Sequence, residues 1–125
     1  MTETHFASIE SDGVKVSAAR DGSRLDVRMS GTVEARDPGV VLDAYWIGLD
    51  QAVRREGVRE VALDLAALDY MNSSGLLTLV RWITRVKSDP QYQITIRHDP
   101  NLTWQKTNVP VLAKLAPAVV RVATP

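Results

Sequence analysis

The 125-residue chain predicts an α/β domain, a mixed β-sheet of about four or five strands packed with α-helices. Three observations carry this. Two short alternating segments open the chain around a turn. Apolar strand-like runs then alternate with longer segments of helical period. No repeat, low-complexity tract or linker divides them. Hydrophobic residues make up 45% and charged residues 24%, as in a globular protein with a real core and unlike a disordered one.

Residues 1–12 are polar and without period, so a flexible arm is expected ahead of one domain spanning 13–125. Val14-Lys15-Val16-Ser17-Ala18 and Leu25-Asp26-Val27-Arg28-Met29 alternate, with Asp21-Gly22-Ser23 between them. That is a hairpin with its turn chemistry, ending at Gly31. Asp37-Pro38-Gly39 opens a helix of about 18 residues that stops near Gly57. At about 100° per residue, Leu42, Trp46, Leu49 and Val53 share one face, flanked by Tyr45 and Ala52, while Ile47 points away. Arg54, Arg55 and Arg59 read as a solvated helix end suited to the dipole.

Val58 to Leu65 is nearly continuous in apolar residues apart from Arg59-Glu60, as expected of a strand covered on both faces. A second helix is predicted from near Leu76 to about Lys87, burying Leu76, Leu79, Val80 and Ile83, with Trp82 on the shoulder. Its other side presents Ser74, Leu77, Arg81 and Arg85. Ser88-Asp89-Pro90 ends it. Gln93–Arg97 alternates as a strand. Thr103 to Ala116 contains Pro110, which leaves a kinked helix or a loop followed by a short helix. Trp104 is expected to pack beneath its loop with the indole N–H bonded. Val119–Val122 is a last, short strand.

Composition narrows function. Fifteen basic and fifteen acidic residues give zero formal charge, with no basic block for nucleic acid or an anionic membrane. No cysteine is present, which removes thiol catalysis, disulfides and thiolate metal sites. The acidic opening lacks a basic n-region, and no apolar run approaches the ~18 residues that cross a bilayer. A soluble, cytoplasmic protein is expected, with no membrane insertion, cofactor or metal.

The most informative stretch is Tyr70-Met71-Asn72-Ser73-Ser74-Gly75, at the junction of the Val61-Ala62-Leu63-Asp64-Leu65 strand and the second helix. A helix start offers unpaired N–H groups and the positive end of a dipole, which favour a negative charge such as phosphate. The same residues also suit a plain cap, with a serine bonding the helix and a glycine easing the turn. A hydrolase at Ser73 or Ser74 with His98 or His5 is disfavoured, because no glycine stands two residues before either serine as a nucleophile elbow requires. His98 is expected at a solvent-facing sheet end.

Met29-Ser30-Gly31, a long helix, Val-Ala-Leu-Asp-Leu, and then Tyr-Met-Asn-Ser-Ser-Gly-Leu together resemble the STAS domain, the anti-sigma factor antagonist fold of bacterial partner-switching systems. The resemblance covers about residues 13–123. It implies signal transduction through an anti-sigma factor or serine kinase-like partner, and no enzyme activity. The family's turn commonly reads Asp-Ser-Ser/Thr-Gly, and the first hydroxyl residue is the phosphoacceptor; the matching position is Ser73, with Ser74 and Gly75 following. Asn72 stands where the family usually has aspartate. Since the two are nearly isosteric, Asn72→Asp is expected to keep the packing and be mildly stabilising. Leu77, Arg81 and Ile47 are the candidate partner surface. The rivals are an unphosphorylated accessory subunit of a larger assembly such as a transporter, and a small-ligand sensor using the Trp104 loop.

Overall fold

A computed structural model describes residues 8–124 of the chain. Strand β1 is Ile9–Ser11, β2 Val14–Asp21 and β3 Arg24–Val33, followed by helix α1 Gly39–Glu56 and strand β4 Glu60–Met71. Helix α2 is Ser73–Ser88, β5 Gln93–Arg97, α3 Thr103–Leu115 and β6 Val120–Ala123. The strands lie side by side in chain order in one six-stranded sheet. β1–β2 and β2–β3 are antiparallel, and the three pairings from β3 to β6 are parallel. The STAS-like mixed sheet is therefore present, with six strands rather than four or five. Ile9–Ser11, inside the stretch expected as a loose arm, pairs with β2 as the extra strand. Residues 1–7 of that stretch, His5 among them, lie outside the described residues.

The hairpin alternates as its sequence requires. Leu25, Val27 and Met29 are buried, and Arg24, Asp26 and Arg28 are exposed. Parallel crossovers are right-handed, and a sheet whose parallel strands advance in one direction then carries all its connecting helices on the same face. That corrects the reading of β4. Val61, Leu63 and Leu65 are buried under the helices, while Glu60, Ala62 and Asp64 are only partly buried on the other side. Ala62 made the run look continuous, but the alternation of a half-covered strand was in it.

α1 runs Gly39–Glu56 and ends where Gly57 adopts φ 72°, donating its N–H to Val53 O. A left-handed residue closes a helix at low cost only when it has no Cβ. The face of α2 is turned slightly from the predicted stripe: Leu79, Trp82, Ile83 and Val86 are buried, and Leu76 and Val80 only partly. The cause is α1 alongside, where Trp46 stacks on Trp82 at 4.8 Å and 12°. Such a pair contributes about 1 kcal/mol beyond its buried area. The Pro110 segment is a single helix, α3. Arg54 is not a solvated end group. It donates to Asp50 Oδ1 at 2.9 Å and to the Asp89 carbonyl at 2.9 Å, tying α1 to the end of α2.

Candidate functional site at the start of α2

β5 ends at Arg97, so β4 loses its partner on that side after Asp64. Its freed carbonyls are taken by side chains from α3. Trp104 Nε1 donates to Leu68 O at 3.1 Å, and Gln105 Nε2 donates to both Leu65 O and Leu68 O. Gln105 Oε1 in turn accepts the Asp99 N–H at 2.7 Å. These bonds satisfy the last third of β4, where its register against β3 shifts twice, and β4 then delivers Met71 and Asn72 to the head of α2. Trp104 is buried with its N–H spent, in the manner the sequence suggested, so its ring is not offered to a ligand.

Asn72 organises the turn through four bonds. Its N–H donates to Val33 O at 2.9 Å and its carbonyl accepts from Leu76 N at 3.0 Å. Its Oδ1 caps Gly75 N at 2.8 Å and its Nδ2 donates to Ala35 O at 2.9 Å. The last bond ties the β3–α1 loop to the turn at the head of α2. It also overturns the expectation that aspartate would fit without loss, because a carboxylate has no donor for the Ala35 carbonyl.

The helix begins at Ser73, three residues earlier than the sequence placed it, because Asn72 rather than a serine is the cap. Of the first N–H groups, which no helix can satisfy internally, those of Ser73 and Ser74 remain. Both serines are exposed, and neither hydroxyl has a hydrogen-bond partner among the described residues. Gly75 is buried. A Cβ there would lie 2.8 Å from Met71 Cγ and 2.8 Å from Val33 Cγ1, so glycine lets the helix start press against the ends of β3 and β4.

Behind the turn, Thr78 Oγ1 donates to Gly75 O at 2.7 Å and accepts from Trp46 Nε1 at 3.2 Å, coupling the helix start to α1. Two ion pairs cross between the helices, Arg81–Asp43 and Arg85–Asp50, each at 2.8 Å. Asp50 is 1% exposed and also accepts the Tyr92 hydroxyl at 2.7 Å. Tyr92 accepts in turn from Trp82 Nε1 at 3.0 Å. Burial, followed by the bond to Asp50, pushes the Tyr92 phenol well up. Burial alone pushes Tyr45 up to about 12, and its hydroxyl has no hydrogen-bond partner among the described residues.

Ile47 and Arg81 line a groove of about 250 Å³ between α1 and α2, together with Trp46, Trp82 and Asp43. Leu77, 50% exposed, stands outside that lining, and Ile47 is 42% exposed. Arg81 is held by both oxygens of Asp43, so it braces the groove rather than offering a free charge. Sequence reasoning passed over Tyr70, 45% exposed beside the turn; an aromatic one residue out of step with the buried Met71 was the signal. It also placed His98 wrongly. His98 is buried, with Nδ1 3.1 Å from Ala123 O, and makes no bond to Ser73 or Ser74. Among the described residues no acidic, histidine or cysteine cluster suited to a metal ion occurs, and no helix is long and apolar enough to cross a membrane.

A one-faced mixed sheet leading into an Asn-Ser-Ser-Gly helix start defines a STAS-like domain. In agreement, the chain is similar to the crystal structure of an anti-sigma factor antagonist from Mycobacterium paratuberculosis. The TM-score is 0.63 over 86% of this chain and 85% of that one, at 16% identity. At that identity the likeness is one of fold. A shorter likeness to the crystal structure of Mglu has a TM-score of 0.48 at 25% identity, over 63% of this chain and 18% of that one. No family model matches the chain, and no curated protein matches it.

Proposed function

We propose that this chain is a bacterial, cytoplasmic protein-interaction module of the anti-sigma factor antagonist kind, switched by phosphorylation of Ser73 in a partner-switching system. The observation that carries the reading is the state of Ser73: an exposed, unbonded hydroxyl on the first turn of a helix braced from three sides. Phosphate there adds nearly two negative charges beside the free N–H groups of Ser73 and Ser74 and the positive end of the dipole. Tyr70 and Leu77 flank the position as exposed apolar contacts, the kind of side chain that carries binding energy when buried at an interface. The partner is an anti-sigma factor or a related serine kinase.

The test is direct. The chain is incubated with the cognate kinase and ATP, followed by intact-mass spectrometry, and its affinity for that partner is measured by calorimetry. One phosphate mapping to Ser73, its loss in Ser73→Ala, and altered affinity for Ser73→Asp are expected. Leu77→Glu is expected to weaken binding with a nearly unchanged melting temperature, since the residue is half-exposed and lies off the buried stripe of α2. Equal affinity of native chain, Ser73→Ala and Ser73→Asp would remove Ser73 from the switch. The uncharged Asn72, bonded to Ala35 rather than left free, favours a second reading, an accessory STAS subunit that is never phosphorylated. Absence of labelling by an active kinase selects it.

A further inference from the structure

Among the described residues nothing covers the face of the sheet turned away from the helices, and its middle is hollow. The register aligns Asp26, Ala62, Thr95 and Arg121 in one row across the strands, and Arg28, Asp64, Arg97 and Ala123 in the next. Short side chains at the centre and long ones around them leave a depression of about 540 Å³, floored by Ala62 and Ala123. That volume falls within the ~300–1,000 Å³ of small-molecule sites.

The charges around it are not equally occupied. Arg24 forks onto both oxygens of Asp26 and reaches Asp21. Glu60 accepts the Thr95 hydroxyl at 2.8 Å. Asp64 Oδ1 accepts the Ala66 N–H at 2.9 Å, where the β3–β4 register shifts. Arg28 and Arg97, on either side of Asp64, make no ion pair or hydrogen bond among the described residues. Two strand spacings separate them, about 10 Å between backbones, which two arginine side chains can close onto one ligand. A guanidinium fork matches a carboxylate or phosphate with two parallel bonds. Between them Asp64 keeps a second oxygen able to accept from a hydroxyl.

We propose that this hollow is a binding site for a small hydroxylated oxyanion, its carboxylate or phosphate held between Arg28 and Arg97 and its hydroxyl bonded to Asp64. The site lies on the face opposite α2 and is independent of the switch reading. It is tested by titrating the isotope-labelled full chain with glycerol 3-phosphate, with malate and with glycerol, following backbone amides by NMR. Saturating shifts at Arg28, Ala62, Thr95 and Arg97 are expected with at least one of the two anions and none with glycerol. Whichever anion saturates distinguishes a phosphate from a carboxylate ligand. Arg28→Gln and Arg97→Gln should each weaken binding about tenfold, with Arg28→Lys intermediate because it keeps charge but loses the fork. Both arginine side chains are exposed, so the melting temperature should not move. No saturation with either anion, shifts confined to Ser73–Leu76, or affinity unchanged in both glutamine variants would each overturn the proposal.

Discussion

Asn72→Asp separates two roles that the sequence alone merges at this position. Aspartate keeps the cap on Gly75 N and strengthens it, since a charge in the first turn of a helix is worth about 0.3–1 kcal/mol. It forfeits the 2.9 Å bond from Nδ2 to Ala35 O, worth about 1 kcal/mol net. It also turns a carboxylate oxygen toward that carbonyl in a half-buried site, adding a repulsion of about another kilocalorie per mole before the loop relaxes. The loss outweighs the gain, and the variant should be about 1 kcal/mol less stable at pH 7, a fall of about 4 °C in melting temperature for a chain of this size. Urea unfolding followed through the buried tryptophans reads this directly. Acid supplies a second check: a protonated carboxyl can donate to Ala35 O, so the folded state favours the protonated form and the carboxyl's folded pKa is raised. The deficit should accordingly be present above the ordinary carboxylate range and shrink as pH falls through about 4. A variant as stable as the native chain at pH 7 would refute the bracing role of the Ala35 bond.

Gly75→Ala improves helix propensity by about 1 kcal/mol but drives a methyl to 2.8 Å from Met71 and Val33; overpacking of about 1–3 kcal/mol should prevail, giving a lower denaturation midpoint. Tyr45 and Tyr92 are both raised, so the folded state prefers their neutral forms. Stability should be intact below the free phenol value of about 10 and should fall as pH rises toward 12, seen as alkaline unfolding by circular dichroism. Tyr45→Phe removes a buried hydroxyl that has no partner among the described residues and should blunt that fall while keeping or raising stability at pH 7.

Much of the fold was legible because it rests on local rules. The hairpin alternation, the apolar stripe of α1 from Leu42 to Val53 and the Gly57 stop follow from side-chain period and backbone sterics, which operate within a few residues. The Asn-Ser-Ser-Gly turn was found for the same reason, as were the outward positions of Leu77 and Ile47. What the sequence could not assign were partners distant along the chain. Asn72 reads as a cap in isolation, but its amide meets Ala35, 37 residues away. Gln105 looks like a polar surface residue of α3, yet it is fully buried because β4 outruns β5 and needs its carbonyls satisfied. Arg81 and Arg85 look like free charges until α1 brings Asp43 and Asp50 beside them. The uncovered face emerges from handedness alone: three right-handed crossovers in one direction place every helix on one side. Period and turn chemistry thus determined the elements and the position of the Asn-Ser-Ser-Gly turn. The tertiary structure decided which polar groups are spent and which remain free, because hydrogen-bond satisfaction depends on neighbours that only the folded chain brings together.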